Sequence, residues 1–229
     1  MSSNLHFIKA VCHQSSRQQG FQLAPDEIKE KYDHEVIFNN SVVDLVNHNI
    51  KLCDGYQELY THIGNHIKNS NDKIITIGGD HSISASTIAA MNEKYMRQVG
   101  NNVESDLIVL WIDAYPDLHD FQTSPNKDLN DMPAASLLGL CGMAFTKTRL
   151  LLNPKQIIYY GLLDTDIDTV NEYRIPHLTE KKIKMLGDKS IVAIKDMIAN
   201  RPVHVTLDMK VFNSSITQSV IPVNETGLN

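Results

Sequence analysis

The chain has 229 residues, 42% of them hydrophobic and 21% charged, which is ordinary globular composition with enough apolar material for a real core. A formal net charge of −6 and the lack of any basic run exclude nucleic acid as a main partner, because phosphate binding wants a basic face. Cys12, Cys53 and Cys141 are widely spaced and form no C-x-x-C, so they read as free thiols of a reducing compartment. No stretch is apolar enough for a signal peptide or a membrane span, and a cytoplasmic protein is the expectation.

Residues 5–11 (LHFIKAV) read as a first strand. Pro25, Asp26 and Glu27 suit a helix start, with proline early and acids in the first turn. Residues 35–38 are a short candidate strand. Leu52, Tyr56, Leu59, Ile63 and Ile67 recur at three- and four-residue steps, the period of an amphipathic helix packed on a sheet. Residues 73–77 form a compact strand broken by Gly78 and Gly79, and residues 82–95 read as the helix that follows. Residues 107–112 make the most hydrophobic strand, expected near a sheet centre. Pro133 is tolerated in the first turn of a helix over residues 134–140. Another strand is expected over residues 156–160, followed by an acidic loop. Asp188 is placed to cap a helix carrying Ile191, Ile194 and Ile198. Residues 203–207 form the next strand, and the tail after Lys210 is polar and without pattern.

There is no repeat, linker or low-complexity tract. Strands alternate with helical patterns, which predicts one α/β domain over residues 1–229: three layers, α/β/α, around a mainly parallel sheet. Ligands bind such sheets at the carboxyl ends of the strands. His81, Asp113 and Asp208 sit at such ends, and Asp117, His119 and Asp120 follow Asp113 closely. Three carboxylates brought together repel one another, and a cation resolves this. Oxygen ligands with one imidazole suit a divalent ion such as Mn²⁺ better than a thiolate-loving metal. Any one of these acids alone reads more readily as a cap or turn residue than as a ligand; agreement among three strand ends carries the metal reading.

Other features are weaker. His62 and His66 lie four apart on the predicted helix, but no third ligand is evident and they read as surface histidines. His204 lies inside an apolar strand and reads as a satisfied core residue. Gly78 and Gly79 are not a phosphate loop, since no G-K-[ST] follows. No G-x-S-x-G elbow occurs, so a Ser-His-Asp hydrolase is not supported.

The motifs together resemble the arginase/agmatinase (ureohydrolase) family. GGDHS at residues 78–82 matches one family signature, and DAYPDLHD at residues 113–120 resembles its D-A-H-x-D with one change. TLDMK at residues 206–210 resembles S-x-D-x-D, again with one change, and DMP at residues 131–133 resembles the end of its H-G-x-P stretch. RQQGFQLAPDEI resembles the family's N-terminal loop, and YGLLDTD its fifth-strand loop. The resemblance implies a site of two Mn²⁺ ions that hydrolyses guanidino or amidine carbon–nitrogen bonds. One metal's ligand set is complete here: His81, Asp113, Asp117 and Asp208. The other metal's exclusive ligands fall at Tyr115 and Lys210 and are replaced. Residues two apart on a strand share a side, so Lys210 is expected beside Asp208 if the strand continues that far, with its ammonium near Asp113 and Asp208. The site is then a one-Mn²⁺ site or a metal-free one held by a lysine salt bridge; the alternative is a Lys210 that points to solvent.

By the same resemblance a histidine beside the substrate falls at Asn130, and an Asn is no general base near neutral pH. An asparagine of the family falls at His119, and Asp166 matches an acid that contacts the substrate's amino end. The family's last strand, which lies between the strand of GGDHS and that of S-x-D-x-D, has no counterpart before Asn229, so a domain short at its C-terminal end with two exposed apolar edges is expected. The favoured expectation is a pseudoenzyme: a ureohydrolase relative with lost or strongly impaired hydrolysis that keeps one metal set, Asp117, His119 and Asn130 standing at the catalytic positions. The alternatives are an active one-metal hydrolase of linear amidines (of arginine, agmatine or formiminoglutamate type) with His119 doing the proton work, and a non-enzymatic subunit of a homo- or hetero-oligomer completed by a longer partner.

Overall fold

The computed structural model describes residues 5–11, 23–24, 26–28, 41–44, 52–68, 70–218 and 224–228. The chain divides into two compact units, Met1–Lys94 with His119–Leu150, and Tyr95–Leu118 with Leu151–Asn229.

In the first unit β1 (Leu5–Val11), β2 (Ser41–Asp44) and β3 (Lys73–Gly78) form a parallel sheet in the order β2-β1-β3. β2 has no sequence expectation behind it, while the expected strand at residues 35–38 lies outside the described residues. Helix α1 (Leu52–Lys68) turns Tyr56, Leu59, Ile63 and Ile67 inward, each at most 5% exposed. Burying a side chain of this size stabilises by roughly 1.5–3 kcal/mol. The expected helix at residues 82–95 begins as a 3-10 turn, His81–Ile83, and continues as α2 (Ser84–Lys94). The early residues of α2 are small (Ser84, Ala85, Ser86, Ala89, Ala90) and buried, which lets α1 approach closely. Ser86 Oγ donates to the Tyr56 carbonyl at 2.8 Å across this contact. A second 3-10 turn, Leu129–Asp131, leads into α3 (Pro133–Leu137), shorter than expected because the chain turns at Gly139, whose φ is +74°.

The second unit begins with an antiparallel hairpin, β4 (Met96–Val99) and β5 (Asn102–Ser105), that the sequence pattern did not reveal. Its strands are polar and mostly exposed, so no alternation marks them; Gly100, at φ +61°, makes the turn. The remaining strands are β6 (Ile108–Ile112), β7 (Ile157–Leu162), β8 (His177–Thr179) and β9 (Val203–Leu207), a parallel sheet in the order β8-β7-β6-β9. The most apolar strand, β6, is interior to this sheet, as its composition implies. Helices α4 (Asp168–Glu172), α5 (Glu180–Leu186) and α6 (Lys189–Ile198) complete the unit, and Ile183 and Ile194 pack on Ile108, Ile158 and Leu178. Asp188 does stand at the start of α6, but its backbone is already helical and its side chain caps nothing.

The tail has more structure than its polarity suggested. Met209–Val211 is a 3-10 turn, and Leu228 comes back beside Phe212 in a parallel bridge, its N–H donating to the Val211 carbonyl at 2.9 Å.

β9 ends its sheet. Ile108 N–H donates to the Pro202 carbonyl and Asp208 N–H to the Ile112 carbonyl, so the even-numbered residues of β9 turn their main chain to β6. Val203, Val205 and Leu207 present theirs to the outer edge, and their side chains are 37–56% exposed.

Candidate metal centre

Asp113 is the first residue after β6 and is wholly buried. Its N–H donates to the Tyr160 carbonyl at 3.2 Å, and its Oδ1 accepts from the Tyr115 N–H at 3.1 Å. Ala114 is tied to β7 by the Leu163 N–H at 3.0 Å. Asp117, 2% exposed, has φ +50°, a left-handed backbone that Asp tolerates better than most side chains do.

Asp208 is the first residue after β9, the strand neighbouring β6. The strand stops there. Asp208 caps the 3-10 turn Met209–Val211, its Oδ1 accepting the Lys210 N–H at 2.8 Å. Lys210 Nζ lies 3.2 Å from Asp208 Oδ2 and 5.5 Å from the centre of the Tyr115 ring. Both side chains of the ion pair are nearly buried, at 12% and 13% exposure. Lys210 therefore reaches the acids by a tight turn rather than by strand alternation, and it does not point to solvent. Gly161, at φ +104°, permits this: a Cβ there would meet Val211 Cγ2 at 2.3 Å. Asn224 adds a brace from the tail, its Nδ2 donating to the Lys210 carbonyl at 2.9 Å.

Burial works against the Lys210 ammonium, but the carboxylates of Asp208, Asp113 and Asp117 outweigh it and hold the amine well above the ordinary lysine value. Burial first and the Asp166 carboxylate second push the Tyr115 hydroxyl up, so Asp166, in the 3-10 turn Asp164–Asp166, belongs to the same electrostatic neighbourhood. The second unit thus brings Asp113, Tyr115, Asp117, Asp166, Asp208 and Lys210 into one field. Within it the Lys210 ammonium lies under the influence of the carboxylates of Asp208, Asp113 and Asp117, and Asp113 and Asp117 are buried. The donor set fits a divalent cation with oxygen ligands.

The first unit carries the other sequence-derived positions. His81, 9% exposed, opens its 3-10 turn, where Asp80 Oδ1 accepts the Ser82 N–H at 3.0 Å and Tyr56 donates to Ser82 Oγ at 2.7 Å. Gly78, just before it, leaves room for Ile83: a Cβ there would meet Ile83 Cδ1 at 1.9 Å, and the Ile83 side chain would have to move. His119 is half-buried, with Nδ1 3.2 Å from Thr123 Oγ1 and its N–H donating to the Asp131 carbonyl at 3.1 Å. Asn130 sits in the turn Leu129–Asp131, and its buried Oδ1 accepts no hydrogen bond among the described residues. Of the weaker histidines, His66 has a partner, Asp72 Oδ2 at 3.1 Å, and burial pushes the His204 imidazole down to about 4.

The family profile described as the arginase family matches residues 4–229. The chain belongs to the arginase family. Among curated relatives, an arginase of Entamoeba histolytica is 30% identical over 147 residues, 61% of this chain and 47% of that protein. An arginase of Saccharomyces cerevisiae is 35% identical over 98 residues, 40% of this chain and 27% of that protein. The chain thus spans about half the length of the curated relatives it matches, or less. The solved Entamoeba histolytica arginase is similar with a TM-score of 0.81 at 20% identity, over 99% of this chain and 82% of that one. The formimidoylglutamase of Bacillus subtilis is similar with a TM-score of 0.73 at 17% identity, over 99% and 71%. These likenesses establish the arginase fold, a three-layer α/β/α arrangement with a mainly parallel sheet.

Sequence reasoning missed three residues of this arginase-family centre. Tyr159, Gly161 and Asn224 shape it without being candidate ligands. A tyrosine within the apolar run of β7 was the available signal for Tyr159, because a buried hydroxyl needs a partner. It donates to the Pro116 carbonyl at 2.6 Å.

Proposed function

We propose that this arginase-family protein binds one divalent cation of Mn²⁺ type through His81, Asp113, Asp117 and Asp208, and that hydrolysis of guanidino or amidine carbon–nitrogen bonds is lost or strongly impaired. The two units are then parts of one arginase-like domain, as a family match running from residue 4 to residue 229 suggests. An imidazole together with carboxylates is a ligand set suited to such an ion. The cation would supply a site where bound water acidifies and developing negative charge is held.

The observation that carries the reading is the Lys210 ammonium, 3.2 Å from Asp208 and under the influence of Asp113 and Asp117. A tethered cation in that position competes with a second metal. Lysine offers three donors and no acceptor, so it neutralises carboxylates but gives a dication no ligand atom. The family's second exclusive ligand is replaced as well: Tyr115 packs its ring near the same ammonium. Asn130 cannot shuttle a proton near neutral pH. Any substrate is then a small guanidino or amidine compound that is bound rather than turned over. No helix among the described residues is long and apolar enough to cross a membrane; a cytoplasmic location completes the reading.

The test is metal content together with turnover. Purified protein incubated with Mn²⁺ and desalted should hold one ion per chain. Urea or ammonia release from arginine, agmatine, guanidinobutyrate and formiminoglutamate should not exceed that of an Asp113→Asn control. Two ions per chain, or turnover well above the control, would overturn the proposal.

A further inference from the structure

We infer that Tyr159 is a positioning residue for Asp117, acting through the Pro116 carbonyl. The inference rests on the reading that Asp113 and Asp117 hold a cation, and it concerns the second unit alone. The segment after β6 is fastened to β7 at successive points. Asp113 N–H donates to the Tyr160 carbonyl at 3.2 Å, and the Ala114 carbonyl accepts from Leu163 N–H at 3.0 Å. The Tyr159 hydroxyl then donates to the Pro116 carbonyl at 2.6 Å. The first two are main-chain bonds near the strand end. The third is a side-chain bond one residue before Asp117, where the backbone takes its left-handed turn at φ +50°.

Asp117 is a non-glycine residue in that conformation, and such a conformation persists where its surroundings over-determine it. Tyr159 is well suited to do so. It is wholly buried on β7, next to Trp111 of β6 in the sheet register, and the two rings meet edge to face with centroids 6.0 Å apart. The ring cannot swing away, so the hydroxyl fixes the Pro116 carbonyl at a set height above the sheet. With the Pro116 peptide plane fixed, the direction in which the Asp117 carboxylate leaves the chain is fixed too. Carboxylate ligands tolerate displacements of only about 0.5 Å before affinity falls.

Tyr160 supplies the control. It is the next residue on the strand, its side chain faces the other way, and its hydroxyl lies 3.1 Å from Ser190 Oγ. Tyr160→Phe also removes one side-chain hydrogen bond from β7, but one remote from the Asp113–Asp117 segment.

The experiment uses the full chain as wild type, Tyr159→Phe and Tyr160→Phe. Each is titrated with Mn²⁺ followed by water-proton relaxation, the visible spectrum is recorded with Co²⁺, and amide exchange is measured across residues 113–118. Tyr159→Phe should bind Mn²⁺ about tenfold or more weakly, the scale seen when a group supporting a metal ligand is removed. Its Co²⁺ bands should shift, and exchange at Asp117 and Leu118 should quicken. Tyr160→Phe should bind Mn²⁺ as wild type does. Equal Mn²⁺ affinity in wild type and Tyr159→Phe, or an equal loss in Tyr160→Phe, would overturn the positioning role while leaving the metal reading intact. Failure of the wild type to bind Mn²⁺ would sink both. The wild type alone gives a test independent of any variant: rapid exchange at Asp117 and Leu118, as in an exposed loop, also overturns the inference.

Discussion

Lys210 Nζ stands 3.2 Å from Asp208 Oδ2, although the strand that delivers Asp208 ends before either residue. A single 3-10 turn capped by Asp208 itself folds Lys210 back on its own cap. Acid and ammonium are therefore set by a local motif, and neither can move far without the other. This couples the charge balance of the site to the geometry of three residues.

Removing the ammonium should expose that coupling. Lys210→Met keeps length and apolar bulk but removes the ammonium that pairs with the nearly buried Asp208 carboxylate. The metal-free variant should lose about 3 kcal/mol, the scale of breaking a buried ion pair from one side. Mn²⁺ should restore most of it. Thermal melts with and without Mn²⁺ read the effect; a variant as stable as wild type in chelator would contradict it.

Giving back ligand atoms should raise metal capacity. The double substitution Tyr115→His with Lys210→Asp replaces a phenol and an ammonium by an imidazole and a carboxylate. Metal per chain should rise towards two, measured by elemental analysis after equilibrium dialysis. Unchanged metal content would show that Lys210 is not what keeps a second ion out.

Gly161 should tolerate no side chain. At φ +104°, with Val211 Cγ2 only 2.3 Å from where a Cβ would be, Gly161→Ala is both strained and crowded. A loss of about 2 kcal/mol or more is expected in urea melts. The crowding pushes on the turn that carries Lys210, so Mn²⁺ affinity should change in the same variant.

The β9 edge should accept a charge. Val205 is 56% exposed and turns its main chain outward, so Val205→Lys should cost less than about 0.5–1 kcal/mol. It should also lower self-association at high concentration, since a lysine on an open edge blocks strand pairing. Light scattering against concentration checks this; an unchanged profile would show that the edge is not the sticky surface.

Acid should weaken the fold through His204. Burial holds its folded value at about 4, below the ordinary 6.5. The unfolded chain takes up the proton first, so the stability is complete above about 6.5 and is lost as pH falls from there towards 4. The residue as a whole keeps some solvent exposure, so the effect is put on the order of 1–2 kcal/mol, below what the full shift would imply. His204→Gln should remove this part of the pH dependence; urea midpoints at pH 7 and pH 5 for both proteins would show it.

The sequence by itself located the parallel strands β1, β3, β6, β7 and β9, but not the parallel strands β2 and β8, and it marked where β6 and β9 end. β1, α1, β6 and β9 carry strong local periodicity or apolar runs, and a buried strand's composition does not depend on its neighbours. It also placed Asp113 and Asp208 at strand ends, because a charge cannot continue an apolar run into a core. It did not show the polar hairpin of β4 and β5, whose residues carry no burial pattern, nor β8, which is only three residues long. It allowed Lys210 beside Asp208 only through a strand continuing that far, with a solvent-pointing Lys210 as the alternative, whereas the contact arises from a capped 3-10 turn. Only the tertiary structure decided that Gly161 must be bare for that turn to seat, and that the Tyr159 hydroxyl holds the Pro116 carbonyl. Both depend on which atoms of distant segments arrive at the same point. Local pattern records the period of burial along the chain; it does not record the partner that fills the space.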